Sequence, residues 1–197
     1  MTRIQKLLIS FGATIAIPVV AGLAQAADPQ IKPLSPAKDP TKETVLIGTA
    51  VSDGLTFELE LEGAEPMWMP MGTPAQWREH VPTRDERYHI ELKLTDNASK
   101  TRLPYSTVTF EATNRDNGKR VETILPPMWG RSGLHYSENS ALAGDGVYAA
   151  TVTAGVPTFA REMKDKDLLS KPVSARFHFR LKNGVLVEVS EPAPTGQ

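Results

Sequence analysis

Leu55-Thr56-Phe57-Glu58-Leu59-Glu60-Leu61-Glu62 exchanges an apolar residue for a polar one at every step. Successive side chains of a strand point to opposite faces, so this period of two marks a strand with one face in a core and one face outward. The alternation returns in Tyr88, Ile90, Leu92 and Leu94, with His89, Glu91 and Lys93 on the other face. Val45-Leu46-Ile47 and residues 105–113, 120–125, 146–153, 173–181 and 185–189 add further short runs rich in Val, Thr, Ile and Phe. Asp116-Asn117-Gly118 and Asn183-Gly184 are hairpin signals, because both turn positions call for the left-handed backbone that Asn and Gly tolerate. Helical periodicity is confined to short turns in 74–80 or 159–169. Many short strands separated by Gly and Pro turns predict an all-β, antiparallel, immunoglobulin-like β-sandwich over residues 43–190.

The flanks read differently. Arg3 and Lys6 precede an uncharged apolar run, 7–23, and Ala24-Gln25-Ala26 follows. That is the layout of a cleaved secretory signal peptide, residues 1–26, and it predicts a periplasmic protein. Gly12, Pro18 and Gly22 interrupt the run, which sits at the short end of the roughly 20 residues a spanning helix needs. Residues 27–42 carry Pro29, Pro33, Pro36 and Pro40 among charged residues and read as a solvated linker; 191–197 reads as a frayed tail. The chain has no cysteine, which removes disulfides, thiolate metal sites and lipid attachment. A net charge of -1 leaves no basic footprint for nucleic acid. Neither a Gly-x-Ser-x-Gly elbow nor a phosphate-cradling glycine loop occurs, so the expectation is a binding protein and not an enzyme.

Glu65-Pro66-Met67-Trp68-Met69-Pro70-Met71-Gly72 holds three of the six methionines. Read as a loop stiffened by proline, it turns its sulfurs outward. A thioether is a soft donor that selects copper when imidazole completes the shell. The competing reading makes these methionines packing beside aromatic rings. Of the four histidines, His89 falls on the polar face of its strand, and His135 sits in a glycine-flanked connection, Gly130-Arg131-Ser132-Gly133-Leu134-His135-Tyr136. His80, close to the loop, is a reserve donor, and His178 points away from the core with nothing beside it to suggest a site. The candidate metal ligands are therefore Met69, Met71, His89 and His135, with Met67 an open alternative to either methionine.

In order and rough spacing, Glu65-Pro66, Met69, Met71-Gly72, His89-Ile90-Glu91, Gly133-Leu134-His135-Tyr136 and Gly144-Asp145-Gly146-Val147-Tyr148 resemble the periplasmic iron-transport-associated proteins. These are the copper-binding partners of bacterial high-affinity iron permeases. The resemblance runs from about Val45 to Leu181 and is most specific from Ser132 to Thr153. It implies an immunoglobulin-like sandwich, a homodimer, a bound copper with iron as second metal, and a role in delivering or oxidising iron for an inner-membrane iron permease. It places the loop methionine on Met69 or Met71, the strand histidine on His89 and the loop histidine on His135. Two features depart from the family pattern. The early Gly-Met-Glu turn is Asp53-Gly54-Leu55-Thr56 here, and the segment 158–171 lacks the family's histidines. Two other readings stay open: a periplasmic copper chaperone or buffer without a link to iron, and an interaction module whose Met-rich loop binds a partner.

Overall fold

The computed structural model describes residues 28–191; the signal segment and nearly all of the expected tail lie outside the described residues. Two antiparallel sheets face each other. The six-stranded sheet runs β1 (Ile31–Lys38), β13 (Val185–Ser190), β12 (Val173–Lys182), β11 (Gly146–Ala154), β7 (Val108–Asn114) and β8 (Arg120–Leu125). The five-stranded sheet runs β2 (Val45–Ser52), β3 (Leu55–Gly63), β6 (Tyr88–Asp96), β10 (Gly133–Ser140) and β9 (Pro127–Gly130). A separate two-stranded hairpin joins β4 (Met67–Met71) to β5 (Gln76–His80). The expected all-β antiparallel sandwich is what forms, and the described residues include no helix long and apolar enough to cross a membrane.

Its core is the set of residues that alternation singled out. Leu55, Phe57, Leu59 and Leu61 of β3 and Tyr88, Ile90, Leu92 and Leu94 of β6 are at most 5% exposed. They close on Phe110 of β7, Tyr148, Ala150 and Val152 of β11, and Phe177, Phe179 and Leu181 of β12. Tyr148 stacks on Phe179 with ring centroids 4.8 Å apart. Burying such side chains removes roughly 1.5–3 kcal/mol each of apolar exposure and is the main drive for the sheets to close. The polar tip of a buried ring must also be satisfied. Tyr136 Oη accepts from the Ser106 N–H at 3.1 Å and donates to the Leu103 carbonyl at 2.8 Å, tying the 103–106 crossing to β10.

Turn chemistry supplies the hairpins. Asp53 and Gly54 (φ 43° and 79°) join β2 to β3, and Asn183 and Gly184 (φ 53° and 74°) join β12 to β13. Both pairs take the left-handed backbone of a two-residue hairpin turn.

Three expectations change. Residues 31–38 of the proposed linker are strand β1, paired antiparallel with β13 through Ile31↔Ser190 and Pro33↔Glu188. Proline is compatible with this position because β1 is an edge strand, where one row of N–H groups has no ladder partner. Residues 76–80 are strand β5 and not a helical turn, while the second helical candidate holds only a 3₁₀ turn, Met163–Asp165. The proline-stiffened methionine loop is strand β4, in register with β5 through Met67↔His80 and Met69↔Arg78.

His178 lies on the outer face of β12, as expected, yet it is buried. Arg115 Nη2 lies 3.2 Å from its Nε2, and Asp28 bridges Arg115 and Arg176 above it. Burial first, and then the Arg115 guanidinium, hold the His178 pKa below its ordinary value. A depressed histidine pKa means that the unfolded chain takes up a proton the folded chain refuses. Its stabilising contribution is thus complete above about pH 6.5 and declines as pH falls from there towards the folded value. Urea midpoints measured from pH 7.5 to 5 are expected to fall less steeply in His178→Gln than in the native chain; parallel curves would contradict this.

Candidate metal centre

The outward face of the five-stranded sheet is built by register. Directly opposed residues of an antiparallel pair project to the same side. Glu62 of β3 lies opposite His89 of β6, which lies opposite Asn139 of β10; Glu60, Glu91 and Ser137 form the next row. At the far side His135 of β10 lies opposite Met128 of β9. His89 is therefore on the face that alternation predicted, but it is 1% exposed and not solvated. Glu91, His135, Ser137 and Asn139 are buried with it, at 7%, 5%, 0% and 3%. His135, expected in a loop, is held inside β10. A buried polar row is costly unless every group has a partner, so its hydrogen bonds define what it can bind.

His135 Nδ1 lies 3.0 Å from the Gly133 carbonyl, which can only accept. Nδ1 therefore carries a proton, and Nε2 faces Glu91, 3.9 Å from Oε2. The other oxygen of Glu91 faces Ser132 Oγ at 3.3 Å and Lys93 Nζ at 3.6 Å. Lys93 is drawn mainly to Glu60, against which it forms a close ion pair. The Met128 sulfur accepts from Ser137 Oγ at 2.8 Å, which pins the thioether on this same face. Gly130 leaves the ring its room: a Cβ there would come within 3.0 Å of His135 Cε1.

Two rows away, Asn139 fixes the second histidine. Its Nδ2 donates to the Glu65 carbonyl at 2.9 Å, and its Oδ1 accepts from the Glu65 N–H at 3.3 Å. A backbone carbonyl can only accept and an amide N–H can only donate, so the amide orientation is unambiguous. Since Oδ1 also meets His89 Nδ1 at 3.0 Å, that nitrogen is the donor, and Nε2 of His89 keeps a free lone pair. The loop carrying Glu65 is thereby seated beside His89. Donor atoms of Glu62, Glu65 and His89 lie within 4.8 Å of one another.

The face thus unites His89 and His135 on neighbouring strands, in different rows. Four residues separate His135 from Asn139, the partner of His89, a spacing of roughly 13 Å along the strand. Met69 and Met71 belong to the β4–β5 hairpin, opposite Arg78 and Gln76, with Met69 half-buried and Met71 exposed. Met67, on the same hairpin face, is buried. A thioether that register sets opposite an imidazole is Met128, in Pro126-Pro127-Met128-Trp129-Gly130. Its sequence signal was weak, because one methionine in a short apolar run reads as packing; seven-residue spacing to His135 acquires meaning only once β9 folds back on β10. His80, the reserve donor, ends β5, 3.9 Å from a Glu86 oxygen, and His178 lies on the other sheet.

Comparison with known proteins agrees with this architecture. The profile of a family described as Fe2+ transport protein matches residues 68–179. Curated relatives include UPF0423 proteins of Brucella abortus and Brucella suis, each 28% identical over 114 residues. The match covers 50% of this chain and 63% of theirs, so the chain spans less than two thirds of the length of these relatives. Among solved structures, FetP of uropathogenic E. coli superimposes with a TM-score of 0.57 at 19% identity, covering 71% of this chain and 96% of FetP. A copper-bound variant of Campylobacter jejuni P19 gives 0.58 at 20%, covering 71% and 98%. At such identities the likeness is one of fold.

Proposed function

Because the chain belongs to the Fe2+ transport protein family, we propose that it is a periplasmic copper-binding protein that supports iron uptake through an inner-membrane permease. The observation that carries the reading is the pairing of Met128 with His135: a pinned thioether opposite an imidazole whose Nε2 faces the Glu91 carboxylate. A thioether, an imidazole and a carboxylate form a donor set suited to copper, with the sulfur favouring the cuprous ion and the carboxylate the cupric one. Ser137 and the Gly133 carbonyl hold the donors in place, as outer-shell partners do in metal sites. Similar proteins add support. Copper-bound structures are known both for a FetP variant and for copper-reconstituted P19 of Campylobacter jejuni, whose fold this chain shares.

In this reading the protein binds and hands on metal, and is not an enzyme. Mature chains pair as homodimers. The β4–β5 hairpin serves as the partner surface, since Trp68 and Trp77 share one of its faces at 66% and 62% exposure. Exposed aromatic side chains of this kind suit protein contacts. Calorimetric titration of the mature protein with cuprous and cupric ions tests the metal assignment. His135→Ala is expected to weaken copper binding at least about 100-fold, the upper range of what even outer-shell changes cost. Unchanged affinity in this variant would refute the site.

A further inference from the structure

We propose that Lys93 sets the charge of the ion this face accepts: its ammonium stands beside Glu91 as a resident cation and selects a singly charged soft ion, the cuprous one, against the cupric. The inference rests on the reading of Met128, His135 and Glu91 as copper donors, and it decides between the two oxidation states that this donor set leaves open. Sheet order puts the lysine in the middle. Its strand, β6, runs between β3 and β10, with β9 beyond β10. Glu58 of β3 lies directly opposite Lys93 and Glu60 opposite Glu91, while His135 and Met128 lie on the other side, on β10 and β9. Lys93 Nζ forms a close ion pair with Glu60 and lies 3.6 Å from Glu91 Oε1. The second oxygen of Glu91 is the one that faces His135, 3.9 Å from Nε2. One carboxylate is thus shared between a fixed ammonium and the metal donors.

Burial gives the arrangement its force. The side chains of Lys93, Glu60 and Glu91 are 16%, 13% and 10% exposed, and charges so placed are screened little by salt. A thioether is neutral, and so is an imidazole that binds a metal, so the three donors bring at most one negative charge to the ion. Repulsion between Lys93 and a bound ion scales with the charge of the ion. Across one carboxylate group, each unit of charge is worth about 10- to 100-fold in affinity at effective dielectric constants of about 20 to 40. A doubly charged ion meets that penalty twice. Arg102 reinforces it. Thr95, two residues along β6 on the same face, bridges to Arg102, whose Nη1 is buried without a hydrogen-bond partner. Directly opposed residues project to the same side, so Lys93 and Arg102 border the same end of the buried row.

The test is competition against chelators of known cuprous and of known cupric affinity, on the mature protein and on Lys93→Gln, Lys93→Arg and Glu60→Gln. Lys93→Gln is expected to raise cuprous affinity about 10-fold and cupric affinity about 100-fold, since doubling the charge of the ion doubles the logarithm of the gain. The cupric-to-cuprous ratio then rises about 10-fold. Lys93→Arg keeps the positive charge and is expected to keep the native ratio. Glu60→Gln releases the ammonium towards Glu91 and is expected to lower the ratio, a change of opposite sign that a general loosening of this face would not give. The proposal is overturned if Lys93→Gln leaves the ratio unchanged, if Lys93→Arg moves it as far as Lys93→Gln does, or if Glu60→Gln raises it. Those outcomes leave the copper reading standing, whereas a native chain that binds neither copper ion refutes that reading and this proposal together.

Discussion

Replacing Met128 with Leu is expected to lower cuprous affinity by about 100-fold or more, while Leu at both Met69 and Met71 leaves it within twofold. Leu matches Met closely in volume and apolar character, and such swaps usually cost less than about 1.5 kcal/mol of stability. The comparison therefore isolates the sulfur. Met128 lies opposite His135, and its Sδ is held by Ser137 on the face that carries Glu91. Met69 and Met71 sit on a hairpin whose register pairs them with Arg78 and Gln76. Titration against a cuprous chelator of known affinity measures the effect. The opposite pattern would return the thioether to the β4 segment and make Met128 packing.

Gly146→Ala is expected to cost the fold several kcal/mol. Gly146 opens β11 with φ at 144°, a conformation that side-chain-bearing residues rarely adopt. A Cβ there would fall 2.4 Å from Asn114 Oδ1 and 2.8 Å from Asn114 Cγ. Asn114 is 0% exposed and cannot step aside freely, because its Nδ2 donates to the carbonyls of Ala143 and Asp145 and its Oδ1 accepts from the Asp116 N–H. Backbone strain of about 1–3 kcal/mol adds to about 1–3 kcal/mol for stranding buried polar groups. Urea unfolding would read the sum as a shift in midpoint, and a shift smaller than that of an exposed control such as Gly118→Ala would contradict it. Gly118 has no atom within 4 Å of its built Cβ, so that control isolates the effect of positive φ.

Gly144-Asp145-Gly146 thus has a physical role in addition to its place in the family resemblance. Asp145 accepts from the N–H groups of Asn183 and Gly184 at the β12–β13 turn. One short segment ties the start of β11 both to Asn114 and to the hairpin that closes the six-stranded sheet.

What the amino-acid sequence determined by itself is what depends on near neighbours. Strict alternation in 55–62 and 88–94 specified strands, assigned Leu and Ile to the core, and set His89 and Glu91 on the opposite face, because strand geometry sends consecutive side chains to opposite sides whatever the partner strand is. Asn183-Gly184 likewise named its turn from backbone preference alone. The tertiary structure decided everything set by pairing across long separations in sequence. It made an edge strand of residues 31–38, since a segment with four prolines nearby looks solvated until β13 offers a ladder. It buried the polar face around His89, because the Glu65 loop is clamped there by Asn139, 74 residues away. It set Met128 opposite His135, since which thioether faces an imidazole follows from strand register and not from the local density of methionine. And it set His89 and His135 in different rows of neighbouring strands, a cross-strand placement invisible along the chain.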